Sequence, residues 1–232
     1  MRRRLRFWLP GMSLAMGGVV SGTCHLFNLE SPTDLAHVAQ YPPLGASLHL
    51  ALFAGGLLAL AGWVGRFAVR QAGANSIGLA ALICVFIGTL CGDLLHSVLE
   101  FSVFPIVDQM APYALPGLAD STYRSIPVSV LLGTGRILLM AGTAAFAWTT
   151  YRERCVPRWP AIPFALSTLL EAVAMLPGSS ESLRSFALAA MYFSMAALGL
   201  TQWLHDREPV SGISGAGSRR SIALRDSQPR AR

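Results

Sequence analysis

Three ionisable residues recur at helical spacing within one long apolar stretch of the chain. Asp93, His96 and Glu100 lie at its centre, and on an α-helix their side chains fall within roughly 60° of one another. Because charged groups avoid lipid, this face is predicted to look into protein or a wet cavity. Imidazole and carboxylate groups can transfer protons. We therefore take Asp93, His96 and Glu100 as candidate catalytic residues.

Two more ionisable residues, Arg136 and Glu171, interrupt later apolar stretches. An unpaired arginine at the middle of a membrane helix costs about 2.5 to 3.5 kcal/mol, so Arg136 is predicted to pair with Asp93, Glu171 or both. Such a pair can be a structural clasp between helices. It can also belong to a ligand site, in which Arg136 holds an anionic group or keeps a carboxylate ionised.

Three histidines and a carboxylate from three apolar stretches are expected at a similar depth: His25, His49, His96 and Glu100. This donor set suits zinc, copper or iron, and two of the histidines could instead be axial ligands of a haem. Each histidine alone is more often a hydrogen-bonded core residue than a ligand. His49 shares a helix face with Gly56, where helices can approach closely, and is therefore predicted to face His96.

The composition predicts an all-α membrane protein. Of the 232 residues, 53% are hydrophobic and 13% are charged, which is unusual for a soluble domain of this size. Helices of about 20 residues are needed to cross roughly 30 Å of bilayer. Six stretches approach this length, at about 8–29, 44–65, 76–104, 127–150, 160–176 and 183–204. We expect a polytopic six-helix bundle over residues 1–205 and a disordered basic tail over residues 206–232.

The arginines predict the topology. Most arginines share one side of a six-span bundle: those at the N-terminus, those in two short loops that include Arg66, and those in the tail. The loops on the opposite side hold only Arg124 and Arg184. By the positive-inside rule both termini are cytoplasmic. Helix rise then places every ionisable residue of the spans in the extracytoplasmic half. The absence of lysine and the abundance of Ala, Gly and Leu indicate a bacterial chain, and hence the inner membrane.

Several other functions are disfavoured. The net charge of +6 follows from the topology, so nucleic acid is not an expected partner. Four cysteines show no C-x-x-C or zinc-finger spacing. Catalytic triads, phosphate-binding glycine loops and dinucleotide fingerprints are missing from the sequence. The expected partners are the lipid bilayer and a small molecule, and the oligomeric state stays open.

The sequence favours a polar pocket that binds a small or lipid-soluble ligand. Its predicted lining is His49, Asp93, His96, Glu100, Arg136 and Glu171. One alternative is a membrane enzyme in which His96 or Glu100 moves a proton on a lipophilic substrate. Others are a haem or metal redox protein, which an absorption spectrum would reveal, and a transporter or sensor subunit. Transport is disfavoured by the missing internal repeats and the apolar inner half.

Overall fold

A computed structural model describes residues 2–27, 42–70, 76–99, 125–152 and 158–205. Its six helices are α1 (Arg2–Phe27), α2 (Pro42–Arg70), α3 (Ser76–Val98), α4 (Ile126–Arg152), α5 (Ala161–Ala174) and α6 (Glu181–His205). Throughout these ranges the regular structure is helical, and the predicted all-α class is confirmed. Glu100, the loop after it and the tail at 206–232 lie outside the described residues.

Four helices, α2, α3, α4 and α6, are long and apolar enough to cross a membrane, judged by length and composition. α5 is also apolar but has 14 residues, which correspond to about 21 Å of helix. α1 has 26 residues and begins with a basic segment. These helices have the composition of a membrane bundle, whereas six spans and cytoplasmic termini stay predictions.

The main contacts between helices form a closed ring in the order α1, α2, α3, α4, α5, α6. Glycines allow neighbouring helices to approach closely. A Cβ atom added to Gly17 would lie less than 3.0 Å from the backbone of Ala59, and one added to Gly88 would meet Leu139 in the same way. The α1–α2 and α3–α4 pairs therefore pack backbone against backbone at these glycines.

An aromatic core fills one half of the bundle. The Trp63 ring stacks on Phe146 with 4.2 Å between centroids and meets Phe164 at 6.0 Å. These residues come from α2, α4 and α5, so the core joins helices that are far apart in the chain. Trp63 lies 14 residues after His49 on α2, about 21 Å along the helix axis. The aromatic core and the histidines therefore occupy different halves.

Arg66 departs from its predicted place in a loop. The second helix continues to Arg70, and Arg66 is only 3% exposed. Its Nη1 atom donates a hydrogen bond of 2.9 Å to Oε1 of Gln202 on α6. Because this amide supplies a buried acceptor, the guanidinium can lie within the bundle. The predictions that Arg66 lies in a loop and that this half has no ionisable residue are both wrong.

Candidate functional site

Asp93 lies in a π-helical turn of α3 that spans Leu90–Leu94. Gly135 of α4 packs directly on this turn, since a Cβ atom at Gly135 would lie 2.5 Å from the amide nitrogen of Gly92. A π turn uses i→i+5 hydrogen bonds and so accommodates one extra residue. The predicted regular α-helix through Asp93 is therefore wrong, and the simple 100° spacing from Asp93 to His96 does not hold.

The Asp93 carboxylate, which is 4% exposed, joins three helices. Its Oδ2 atom accepts a hydrogen bond from the hydroxyl of Tyr192 on α6. Its Oδ1 atom lies 4.0 Å from Nε2 of His25 on α1. The His25 ring stacks on the Tyr192 ring with centroids 5.5 Å apart and an angle of 21° between planes. A carboxylate, an imidazole and a phenol thus meet in a buried position.

His49 and His96 approach each other from α2 and α3, as depth and helix face predicted. Their ring centroids are 6.1 Å apart and their planes are tilted by 60°. Within the described ranges, no group of three or more His, Cys, Asp or Glu side chains could hold a metal ion. The predicted set of His25, His49, His96 and Glu100 includes a residue outside those ranges. A metal or haem site stays a prediction.

Glu171 is the least exposed carboxylate among the described side chains, at 1%. It belongs to the inward face of α5 together with Phe164, Ser167 and Ala174. Neither Oε1 nor Oε2 has a hydrogen-bond partner among the described residues. A buried carboxylate normally has hydrogen-bond or ion-pair partners, because removing it from water costs on the order of several kcal/mol. Glu171 therefore marks a place where a donor is missing from the described chain.

Arg136 interacts electrostatically with both Asp93 and Glu171. Nε2 of His25 lies 4.0 Å from the Asp93 carboxylate, whereas Arg136 forms no ion pair with either carboxylate among the described side chains. The pairing predicted for Arg136 is therefore a longer-range interaction. Arg136 as a whole is only partly buried.

Together these residues form what we call the polar centre. Electrostatic interactions link His25 with His49, His96 and Arg136, and link Glu171 with Asp93. With Tyr192 included, each of the six helices contributes a side chain. Tyr192 was not among the site residues predicted from the sequence. Its signal was a phenol in the middle of the sixth apolar stretch, where the hydroxyl needs a partner inside the bundle.

Comparison of the chain with protein-family models, with curated proteins and with solved structures finds no match. The described chain is an all-helical bundle in which four helices are long and apolar enough to cross a membrane, as in helical membrane proteins. A more specific function has to be inferred from the chemistry of the polar centre.

Proposed function

We propose that this protein binds a small or lipid-soluble ligand at the polar centre. In this proposal the chain is a multi-pass protein of a bacterial inner membrane, with six spans and both termini in the cytoplasm. The ligand enters the extracytoplasmic half of the bundle, where His49, Asp93, His96, Arg136 and Glu171 contact it.

The unpartnered carboxylate of Glu171 is the observation that carries this proposal. Tyr192 is already engaged with Asp93, so it does not satisfy Glu171. A hydroxyl or amine group of a ligand would supply the missing donor, and binding would then recover the cost of burying the carboxylate. The partly exposed Arg136 and His96 could orient a polar group of the same ligand.

The charge distribution supports the proposed orientation. Arg152 and Arg158 are exposed at the end of α4 and just before α5, and helix rise places Arg152 about 24 Å from Arg136 along α4. Basic residues beside membrane helices favour the cytoplasmic side. This orientation directs the polar centre away from the cytoplasm.

The test is to recover the ligand with the protein. The chain would be extracted directly into polymer-bounded membrane discs, and bound small molecules would be identified by mass spectrometry. Glu171→Gln removes the carboxylate and keeps the shape. Leu169→Ala is the matched control, because Leu169 lies on the same helix and is 65% exposed. We expect one compound to be enriched with the wild type and with Leu169→Ala, and to be lost with Glu171→Gln.

Two outcomes would overturn the proposal. One is that no compound is enriched over discs made from membranes lacking the protein. The other is equal retention by Glu171→Gln, which would mean that this carboxylate does not hold the ligand. Thermal unfolding of each variant separates loss of ligand from loss of fold.

A second candidate is an enzyme that performs acid–base chemistry on the same ligand. The contact of Asp93 with both Tyr192 and His25 favours it, because such a set can accept and return a proton in a buried site. Here Asp93, His96 and Glu100 are the proposed catalytic residues. Incubation of the recovered compound with the wild type would convert it into a product, whereas Asp93→Asn would leave it unchanged. Absence of any product with the wild type would exclude this alternative for that compound.

A further inference from the structure

A separate surface lies at the other end of the bundle. The interfacial patch consists of Trp148, Tyr151 and Arg152 on α4, and of Arg158 and Trp159 immediately before α5. Each of the three aromatic side chains is 52% exposed. The patch thus presents three large rings and two cationic groups on the surface of the helices.

Contacts within the patch fix the arginines against the rings. The guanidinium carbon of Arg152 lies 4.7 Å from the centroid of the Trp148 ring, and that of Arg158 lies 5.3 Å from the Tyr151 ring. Both distances are in the range of cation–π contacts. Trp148, Tyr151 and Arg152 follow i, i+3 and i+4 spacing, which places them on one face of α4. The guanidinium groups are therefore held in position before any partner arrives.

Neither Arg152 nor Arg158 forms an ion pair with a carboxylate among the described side chains. Both residues are also exposed, so their guanidinium groups are accessible. A guanidinium group can bind a phosphate through two parallel N–H donors. Exposed tryptophan and tyrosine are typical of the boundary between headgroups and acyl chains. Both properties of the patch match a phospholipid at the membrane surface.

We propose that the interfacial patch binds the headgroup of an anionic phospholipid. Arg152 and Arg158 contact the phosphate, while Trp148, Tyr151 and Trp159 pack beside the glycerol and the first carbons of the acyl chains. An anionic lipid is favoured over a zwitterionic one, because choline and ethanolamine headgroups carry a positive charge that would be repelled by the two arginines. This site is independent of the polar centre, since a distance of about 24 Å along α4 separates Arg152 from Arg136.

Native mass spectrometry of the purified full chain in detergent can test this site. The protein would be mixed with equal amounts of phosphatidylglycerol and phosphatidylcholine, and the ratio of the two bound lipids would be measured. We expect a preference for phosphatidylglycerol that falls about fivefold in Arg152→Gln and in Arg158→Gln, since one basic residue contributes about 1 kcal/mol at a membrane surface. Arg184→Gln is the control of equal charge change, because Arg184 bonds to the carbonyl of Ala174 instead.

The aromatic part of the site has its own test. Trp148→Leu keeps both charges but removes the ring beneath Arg152, and we expect it to weaken the preference for phosphatidylglycerol. Inorganic phosphate in millimolar excess is expected not to displace the bound lipid.

The proposal is overturned if the two patch arginine variants keep the wild-type lipid ratio. It is also overturned if Arg184→Gln lowers the ratio equally, because net charge alone would then determine the lipid preference. Displacement of the lipid by inorganic phosphate would also overturn the proposal, because the patch would then be a general phosphate site. Thermal unfolding of each variant establishes that the compared proteins are folded.

Discussion

The Tyr192 hydroxyl donates a hydrogen bond to Asp93, and this bond joins α6 to α3 across the ring of helices. The main contacts of α6 are with α1 and α5, so the bond spans the interior of the bundle rather than an interface between neighbours. His25 lies against both residues from α1. The polar centre therefore contributes to the relative positions of the helices.

Replacing Tyr192 with Phe tests this structural contribution. The change removes the donor to a buried carboxylate, and we expect a loss of about 1 kcal/mol in unfolding free energy, near the average for hydrogen bonds between membrane helices. Unfolding in a mixed-micelle titration would measure it. Tyr151→Phe is the matched control, because Tyr151 is exposed and its ring is kept. Equal stability of the two variants would contradict a role for the Tyr192 hydroxyl.

Two glycine-to-alanine substitutions on α4 test the packing that supports the π turn. Gly135→Ala brings a methyl group to 2.5 Å from the Gly92 nitrogen and 2.9 Å from the Cys91 carbonyl carbon. We expect destabilisation of about 1 to 3 kcal/mol, typical of overpacking. An alanine at Gly133 would meet nothing within 4 Å, and its better helix propensity predicts unchanged or slightly higher stability. The measurement is the same unfolding titration, and similar losses at both positions would refute the close contact.

The sequence predicted the helices well because apolar length and helix-breaking segments are local properties. The predicted fourth stretch, at about 127–150, lies within the observed Ile126–Arg152. The end of the second helix was placed too early, because the charge of Arg66 was assigned to a loop. Its acceptor, Gln202, lies 136 positions away in the chain, and no local pattern reveals such a partner.

The site was predictable in part for the same reason. Depth along a helix follows from residue number, so the approach of His49 to His96 could be inferred. The π turn depends on the contact between Gly92 and Gly135, and the Asp93 partner is set by how α6 packs. Both are properties of tertiary structure. Glu171 was predicted to pair with Arg136, but its lack of a contacting partner depends on side-chain placement that spacing does not determine.

The buried bond between Arg66 and Gln202 predicts an energetic coupling between α2 and α6. Arg66→Met leaves the Gln202 amide without this donor, and Gln202→Met leaves the guanidinium without this acceptor. We expect each single change to destabilise the protein by about 1 to 3 kcal/mol, and the double change to cost less than their sum. A double-mutant cycle based on unfolding free energies measures the coupling. Strict additivity would mean that the two side chains do not stabilise each other.

The proposed topology makes a prediction that is independent of the site. With six spans, the proposal places Gly117 on the extracytoplasmic side of the membrane and the end of the chain in the cytoplasm. Alkaline phosphatase fused after Gly117 should therefore be active, whereas the same enzyme fused after Arg232 should be inactive, and a fluorescent reporter that folds only in the cytoplasm should show the reverse. The short α5 is the weakest span, because its 14 residues cover only about 21 Å. If α5 does not cross, the two fusions report the same compartment. The polar centre would then remain in the bundle, but its assignment to the extracytoplasmic half would lose its basis.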